Sequence, residues 1–348
     1  MVNLARGLSG LGHRVDLVLR CVEGRFLNEV PAVVRIVDLQ ARSALLAPLP
    51  IARYLRRSRP DAMLVTGLYT NIAAILGLRL AGTGTRTVIS VQNHLSVQVA
   101  SSPAPWMKLV PAASRRLFPL VDRVVAVSQG VADDLSRCVG VPPEKLITIY
   151  NPLVSPRLAE QKAEPPAHAW LRDDGPVVVL GMGKLRPQKD FATLIRAFAL
   201  VRKRRPARLV IVGEGPERSA LLRLARQLGV ADAVDLPGFL GNPYACMAHA
   251  GVFVLSSAWE GLPSVLVEAM ACGCAVVSTD CPSGPAEILE HGRYGPLVPV
   301  GDHAALADAI SKVLEQAPDP ARLISRASAF SAESAARAYA AVLLPTAP

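Results

Sequence analysis

The hydrophobic pattern of this chain alternates between two periods. Short runs of Val, Ile and Leu, typical of strands buried on both faces, are followed by segments whose apolar residues recur every three or four positions, as on one side of a helix. This alternation predicts an α/β protein with doubly wound sheets. The predicted strands are residues 15–19, 33–39, 62–67, 87–93, 123–128 and 146–151 in the first half, and runs beginning at 177, 208, 234, 252, 274 and 296 in the second.

The helical spacing predicts a helix at each of several segments between these strands. Gly12 is expected to end the first helix, which no strand pattern precedes, and Pro111 to kink the helix over 105–118. The predicted helices are residues 2–11, 47–57, 69–80, 105–118, 191–201, 303–314 and 321–343.

The segment 151–175 separates the two sets of strands. It is rich in proline and polar residues, and such an abrupt change in composition marks a domain boundary. We therefore expect a first domain over residues 1–155, a second over 176–320, and a helical tail over 321–348.

The stretch 252–289 contains the clearest candidate chemistry. It is predicted to be a strand, a loop and then a helix with Pro263 in its first turn and Gly273 as its stop. The first N–H groups of such a helix, on Ser264, Val265 and Leu266, have no partner within the helix and form a ready site for an anion such as a phosphate.

Two glutamates flank this predicted helix start. Glu260 lies on the loop, and Glu268 follows eight residues later inside the helix. Two carboxylates would then border one phosphate-sized site.

Several motifs together resemble the retaining glycosyltransferases of family 4. The glutamate pair and its surroundings, EGLPSVLVEAMACGCAVVSTDCPSGPAEIL, are similar to the donor-site signature of that family. Other segments match in the family order: VVAVSQGVADDL, ITIYNPL, VLGMGKLRPQKDFATLIRAF, LVIVGEGPER and LPGF. The resemblance covers residues 1–342. It implies a GT-B fold, with two Rossmann-like domains facing a cleft, an acceptor-binding first domain, a nucleotide-sugar-binding second domain, and a tail crossing back to the first.

The resemblance also implies roles for individual residues. Glu268 would bind the ribose hydroxyls, Lys189 and Lys184 the diphosphate, and Glu260 the hydroxyls of the donor sugar. The candidate catalytic residues are Glu260, Lys189 and His94. The candidate donor-binding residues are Gly183, Lys184, Lys189, Gly213, Glu214, Gly238, Phe239, Glu260, Gly261, Leu262, Pro263, Ser264, Val265, Leu266 and Glu268.

The same residues carry a physical rationale. Glycines let the backbone approach a ligand closely, and cations offset the charge that a diphosphate gains as its bond to the sugar breaks. Because these cations and the helix start already supply positive charge, we expect no metal and no cofactor apart from the nucleotide-sugar donor, with UDP as the expected nucleotide.

His94 follows a predicted strand at its carboxyl end, where open α/β sheets place ligand-contacting residues. In the family a histidine after this strand approaches the donor sugar or the acceptor. The local sequence is QNH, so that Gln92 or Asn93 are alternatives for the family position.

The sequence departs from the family pattern at two places. Family members begin with a central strand and a Gly-rich loop upstream of the first helix, so that the first domain here resembles one lacking its first strand, which puts activity in doubt. Lys184 stands where the family has arginine, which keeps the charge but loses the bidentate fork.

Positive charge is concentrated in the first half of the chain. The net charge is +10, and residues 1–160 hold 19 Lys and Arg against 10 Asp and Glu, whereas the remainder holds 19 against 18. A basic first domain fits an anionic membrane surface, a diphosphate-bearing acceptor, or a solvated arginine-rich face. The segment 105–118, with its Trp and cations, is the candidate membrane contact. An aromatic content of 5% and the absence of any recognisable nucleic-acid module argue against nucleic-acid binding.

The remaining composition constrains the compartment. No run of 18 apolar residues and no signal-peptide pattern occurs, and the six cysteines lack metal-site spacing, which favours free thiols in a reducing cytoplasm. We therefore expect a cytoplasmic protein, with peripheral attachment to the inner face of the plasma membrane as a further possibility.

Three functions stay open from the sequence. The first is transfer of a sugar to a lipid-linked or polysaccharide acceptor in bacterial envelope glycan synthesis. The second is a nucleotide-sugar 2-epimerase of the same architecture, for which the expected additional acidic and histidine residues are not evident. The third is a non-catalytic scaffold, which only the missing strand favours.

Overall fold

The computed structural model describes residues 1–24 and 27–344 of the chain. These divide into two compact units. Unit one consists of Met1–Pro152 together with the segment that begins at Ala332, and unit two is Leu153–Ser331.

Unit one contains six strands, all paired in parallel. They form two sheets, β1-β2 and β3-β4-β5-β6, in that order. The strands are β1 (Asp16–Leu19), β2 (Arg35–Asp38), β3 (Ala62–Thr66), β4 (Arg86–Val91), β5 (Arg123–Ala126) and β6 (Leu146–Thr148).

Helices connect and cover these strands. They are α1 (Val2–Gly10), α2 (Pro48–Ser58), α3 (Leu68–Ala81), α4 (Leu95–Ala100), α5 (Val110–Leu117), α6 (Gln129–Cys138) and the last helix of the chain, α15 (Ala332–Leu343). In the core, Leu4 of α1 and Tyr339 of α15 pack with Val88 of β4 and Val125 of β5. The last helix thus belongs to the core of the unit that the start of the chain builds.

Unit two is built on a single parallel sheet of six strands in the order β12-β11-β10-β7-β8-β9. The strands are β7 (Val177–Met182), β8 (Ala207–Val212), β9 (Val234–Gly238), β10 (Val252–Leu255), β11 (Val276–Thr279) and β12 (Leu297–Val298). The helices are α7 (Pro156–Gln161), α8 (Phe191–Arg204), α9 (Arg218–Gln227), α10 (Pro243–His249), α11 (Ser264–Ala271), α12 (Pro285–Ile288), α13 (His303–Glu315) and α14 (Pro320–Ala327).

The order of strands in unit two fixes where a ligand site belongs. From β7 the chain builds outward to β8 and β9, and it then returns to place β10 on the other side of β7. The carboxyl ends of β7 and β10 therefore border a topological switch point, the position where open α/β sheets bind ligands.

Several sequence predictions need correction. Pro111 does not kink one long helix: a 3-10 segment, Pro105–Leu109, ends before α5 begins, and Pro111 is the second residue of α5. The predicted tail helix over 321–343 is two helices, α14 and α15, separated by the 3-10 turn Ser328–Phe330. The expected linker contains α7 and the 3-10 turn Ala169–Leu171, and the compact division falls at Pro152.

Candidate functional site

The loop after β10 is joined to the turn that precedes α8. The N–H of Ala258 donates to the carbonyl of Gln188 at 2.8 Å, and the Gln188 side chain donates back to the carbonyl of Trp259 at 3.0 Å. The hydroxyl of Ser256 donates to the carbonyl of Lys189 at 2.8 Å. These bonds fix the two chain segments on either side of the switch point.

The structure brings the two predicted catalytic residues of unit two into direct contact. The ammonium of Lys189 donates to Oε1 of Glu260 at 2.5 Å, and the hydroxyl of Ser257 donates to the same oxygen at 2.7 Å. The side chains of Lys189 and Glu260 are only 17% and 7% exposed. A buried ion pair of this kind keeps both groups charged, because removal of either partner would leave an uncompensated buried charge.

Backbone contacts hold the Glu260 loop from its other side. The N–H of Glu260 donates to the carbonyl of Pro282 at 2.7 Å, and the Ser283 N–H donates to the carbonyl of Glu260 at 3.2 Å. Beside the pair, burial and the negative charge of Glu260 raise the pKa of the Cys281 thiol to about 12. Cys281 is therefore a protonated thiol at neutral pH and no nucleophile.

The three predicted glycines of the site lie in one row across the strand ends. Gly183 follows β7, Gly213 follows β8 and Gly238 ends β9, and all three have positive φ. The N–H of Gly183 donates to Val212, and the N–H of Gly213 donates to Gly238 at 2.8 Å. A Cβ on Gly213 would lie 1.9 Å from the carbonyl oxygen of Gly183. The chain can take this path only with glycine at that position.

The helix predicted to bind a phosphate is α11, which begins at Ser264 with Pro263 as its N-cap residue. The prediction that Leu266 offers a free N–H is wrong, because this group donates to the Pro263 carbonyl at 3.0 Å. The N–H groups of Ser264 and Val265 have no hydrogen-bond partner in the described part of the chain. The predicted stop is confirmed: α11 ends at Ala271, and Gly273 has φ +82°.

Glu268 lies in the second turn of α11 and is partly buried. Burial raises the pKa of its carboxyl group from 4.5 to about 7. No hydrogen bond or ion pair to this carboxylate exists within residues 1–24 and 27–344. Glu268 is therefore an acceptor without a protein donor, as expected of a group that binds ligand hydroxyls.

The other predicted donor-binding residues differ in their surroundings. Lys184 is exposed, and its ammonium has no ion-pair partner among the described side chains. Phe239 is 47% exposed. The Glu214 carboxylate comes within 3.9 Å of the position of a Cβ built on Gly238. Buried residues of the loop are Gly261, Leu262 and Pro263.

His94 lies in unit one, as the N-cap residue of α4. Its Nδ1 is 3.2 Å from the Ser96 hydroxyl and 3.4 Å from Oδ2 of Asp134, and both His94 and Asp134 are buried. Gln92, one of its alternatives, is bonded on both sides of its amide, to Ser90 at 2.8 Å and to Asn151 at 3.0 Å.

Three residues with a clear structural part in this site were not predicted. Ser257 and Gln188 bind the Lys189–Glu260 loop system, and Asp134 contacts His94. The two serines after β10 could have been found, since polar residues at a strand's carboxyl end are candidates for a site. Among the described residues, no group of three His, Cys, Asp or Glu side chains could hold a metal ion.

The chain belongs to glycosyltransferase family 4. The family model for Glycosyltransferase Family 4 matches residues 1–157, and the model for Glycosyl transferases group 1 matches residues 167–330. Both halves of the chain thus carry the expected family domains. The resemblance drawn from the sequence motifs is confirmed.

The most similar relatives are bacterial glycosyltransferases. The chain is 35% identical over 199 residues to N-acetylgalactosamine-N,N'-diacetylbacillosaminyl-diphospho-undecaprenol 4-alpha-N-acetylgalactosaminyltransferase of Campylobacter jejuni, covering 57% of this chain and 52% of that protein. It is 33% identical to the lipopolysaccharide core biosynthesis glycosyltransferase LpsD of Rhizobium meliloti, covering 52% of this chain and 48% of that protein. The aligned stretch therefore spans about half the length of these two relatives.

Solved structures confirm the GT-B fold. Anabaena HepE, in complex with UDP and glucose, aligns with a TM-score of 0.76 and 22% identity, covering 97% of this chain and 94% of that one. The lipopolysaccharide outer core galactosyltransferase WaaB aligns with a TM-score of 0.71 and 18% identity, covering 98% and 93%. None of the described helices is both long and apolar enough to cross a bilayer.

Proposed function

We propose that this protein transfers a sugar from a nucleotide diphosphate donor, with UDP as the nucleotide, to a hydroxyl of a lipid-linked or polysaccharide acceptor in bacterial envelope glycan synthesis. The transfer retains the configuration of the anomeric carbon and uses no metal. The observation that carries the proposal is the buried Lys189–Glu260 pair at the switch point of unit two. Family membership and the relatives' activities support the same reaction class.

In the proposed reaction the bond between the sugar carbon and the diphosphate oxygen breaks, and a bond to the acceptor oxygen forms. The acceptor proton passes to the departing diphosphate oxygen. Negative charge grows on the diphosphate during this step, and a preorganised ammonium such as that of Lys189 stabilises it. Glu260, held by Ser257 as well as by Lys189, keeps one hydrogen-bond donor when the ammonium turns to a phosphate.

The other site residues take roles that fit their surroundings. The free N–H groups of Ser264 and Val265 bind the terminal phosphate, and the partnerless carboxylate of Glu268 accepts the ribose hydroxyls. The glycine row lets the nucleotide approach the backbone of the strand ends. In unit one, His94 contacts the donor sugar or the acceptor.

Calorimetry with UDP, followed by an NMR donor screen, tests the proposal. We expect UDP to bind without added metal and in the presence of a chelator, and the Glu268→Ala variant to bind it about 1 to 3 kcal/mol more weakly. Interconversion of UDP-GlcNAc with its 2-epimer in the absence of acceptor would favour the epimerase instead. A protein that binds no UDP would fit the scaffold.

We also propose that unit one contacts an anionic membrane surface where the lipid-linked acceptor resides. On the 3-10 segment Pro105–Leu109, Trp106 is 51% and Leu109 70% exposed, and Lys108 between them is exposed. The exposed Arg115 follows on α5. Exposed aromatic and apolar side chains beside cations are typical of segments that lie at a membrane interface.

Vesicle flotation tests this contact. The protein should float with vesicles containing phosphatidylglycerol and not with neutral phosphatidylcholine vesicles, and added salt should weaken the binding. The double substitution of Trp106→Ala and Leu109→Ser should abolish flotation. The matched control is Leu228→Ser on unit two, where an equally apolar side chain is 39% exposed. Equal flotation of both variants would refute the assigned surface.

A further inference from the structure

A slot separates the two sheets of unit one. Among the described residues, β1 pairs only with β2 and β3 only with β4, so that one long edge of β1 and one of β3 have no strand beside them. A cavity of about 740 Å³ lies between these two edges, and both β1 and β3 line it over their full length. Parallel strands are rarely found at such an open edge, since both their faces and edges belong in a core.

Both edges present backbone groups to the slot. The carbonyls of Val15 and Leu19 accept from Arg35 and Leu39 on the β2 side. Because successive residues of a strand point their N–H and C=O groups to alternate sides, those of Asp16 and Val18 point away from β2. By the same rule the carbonyl of Asp61 accepts from Arg86 on the β4 side, and the groups of Ala62, Leu64 and Thr66 point away from β4.

The side chains of the two strands are also incompletely buried. Every residue of β1 is of intermediate exposure, and so is every residue of β3 except Val65. In contrast, the five residues after Arg86 in β4 are all buried. Strands that occupy the middle of unit one thus have the exposure expected of strands at its margin.

The path of α1 identifies the element that fits the slot. α1 leads directly into β1, and it is fixed in place by close packing on α15, where a Cβ on Gly7 would lie 2.6 Å from that of Ala336. A strand joined to the start of α1 by a short loop would run parallel to β1 through a right-handed crossover. Because β2 occupies one side of β1, the slot is the adjacent position left.

We propose that the slot accepts one further β-strand, parallel to β1 and β3 and connected to the amino end of α1, which joins the two sheets of unit one into a single sheet. Its length is four to five residues, as in β1 and β3. The slot is charged near its amino end, where Asp16 accepts from Tyr54 and pairs with Arg35. The strand therefore begins with a polar residue and continues with apolar ones.

The amino group of Met1 agrees with this assignment. Met1 lines the slot, and although its side chain is 49% exposed, burial lowers the pKa of its α-amino group. A peptide bond at this position would remove a charge from a poorly solvated place.

A designed extension of the full chain tests the proposal. One variant carries, before Met1, a strand of one Thr and five Val or Ile residues followed by a four-residue Gly-rich loop. The control variant has the same length, with proline at two central strand positions, because proline cannot pair in the middle of a sheet. The readouts are the thermal midpoint and amide hydrogen exchange by mass spectrometry.

The strand variant should melt several degrees higher than the unextended chain, and exchange at β1 and β3 should slow by at least about tenfold. Peptides from β9 in unit two should exchange at the unchanged rate, and the proline variant should match the unextended chain. Equal exchange in all three proteins would overturn the proposal. So would protection that appears only in a dimer by light scattering, or equal protection by the free strand peptide at the same concentration, since either would place the strand on another molecule.

Discussion

Replacing Glu268 with glutamine should have opposite effects on the stability of the free protein and on its affinity for the donor. The side chain sits on α11 with no hydrogen-bond donor or counter-ion among the described residues, and burial raises its pKa from 4.5 to about 7. Glutamine has nearly the same shape, and it is neutral at every pH. The substitution therefore removes a charge while leaving the packing of the helix intact.

The size and sign of the effect on stability follow from linkage. In the unfolded chain the carboxyl group ionises around its ordinary pKa of 4.5, whereas in the folded protein it holds its proton until about pH 7. The folded state therefore loses stability as the pH rises from 4.5 to 7, and the full loss is present above 7. At about 1.4 kcal/mol per pH unit, the loss amounts to on the order of 3 kcal/mol.

Urea unfolding at pH 4.5 and pH 8 measures this effect. Because the chain has two units, unfolding should be followed locally, by hydrogen exchange of peptides from α11. Glu268→Gln should match the unsubstituted protein at pH 4.5 and exceed it at pH 8 by up to about 3 kcal/mol. Glu315→Gln, on an exposed helix position, is the control and should show no such pH-dependent gain.

The same variant should bind UDP more weakly, since an amide is a poorer acceptor than a carboxylate for two ribose hydroxyls. We expect a loss of about 1 to 3 kcal/mol at pH 8. A stability difference that does not change between pH 4.5 and pH 8 would refute the burial argument. Unchanged UDP affinity would refute the ligand role while leaving the stability argument intact.

Two further predictions concern the switch point of unit two. Lys189→Met should lower turnover by roughly a hundredfold or more and destabilise the protein by about 3 to 5 kcal/mol by leaving Glu260 unpaired. Adding Glu260→Gln should recover stability but not turnover, whereas Lys203→Met on the exposed end of α8 should change neither; recovery of both by the double variant would identify the pair as purely structural. Gly213→Ala should cost at least about 4 kcal/mol because its Cβ would overlap the neighbouring backbone. Gly229→Ala, with positive φ but open space around it, should cost only about 1 to 2 kcal/mol in a melting experiment, and equal losses would contradict the clash.

The parts of the fold and site that could be predicted are those encoded over short distances. Strand β10 with α11 behind it was evident because an apolar run, a proline and a terminal glycine mark its parts within 22 residues. The glycine row was predictable for the same reason. Each of its members follows an apolar strand, and strand ends in a parallel sheet meet at one edge.

Long-range pairing lay beyond the sequence. Lys189 and Glu260 are 71 residues apart, and periodicity gives no sign that their side chains meet. The free N–H of Leu266 was lost to a local contact that depends on the backbone angles of Pro263, which lies just before α11. The break between α14 and α15 likewise depends on tertiary contacts, because the carbonyl of Phe330 accepts from Leu153 and Val154.

The contacts at the switch point explain how loops can form a defined site in the ligand-free protein. Each segment that would surround a diphosphate is bonded to another segment of unit two: the Glu260 loop to the turn before α8 and to Pro282, and Gly183 to β8. These bonds are made before any ligand arrives, so that binding orders little additional chain. The groups without such bonds are the α11 N–H groups, the Glu268 carboxylate and the Lys184 ammonium. Since their polar atoms gain partners only from a ligand, they supply the binding energy, while the bonded groups fix the geometry in which it is used.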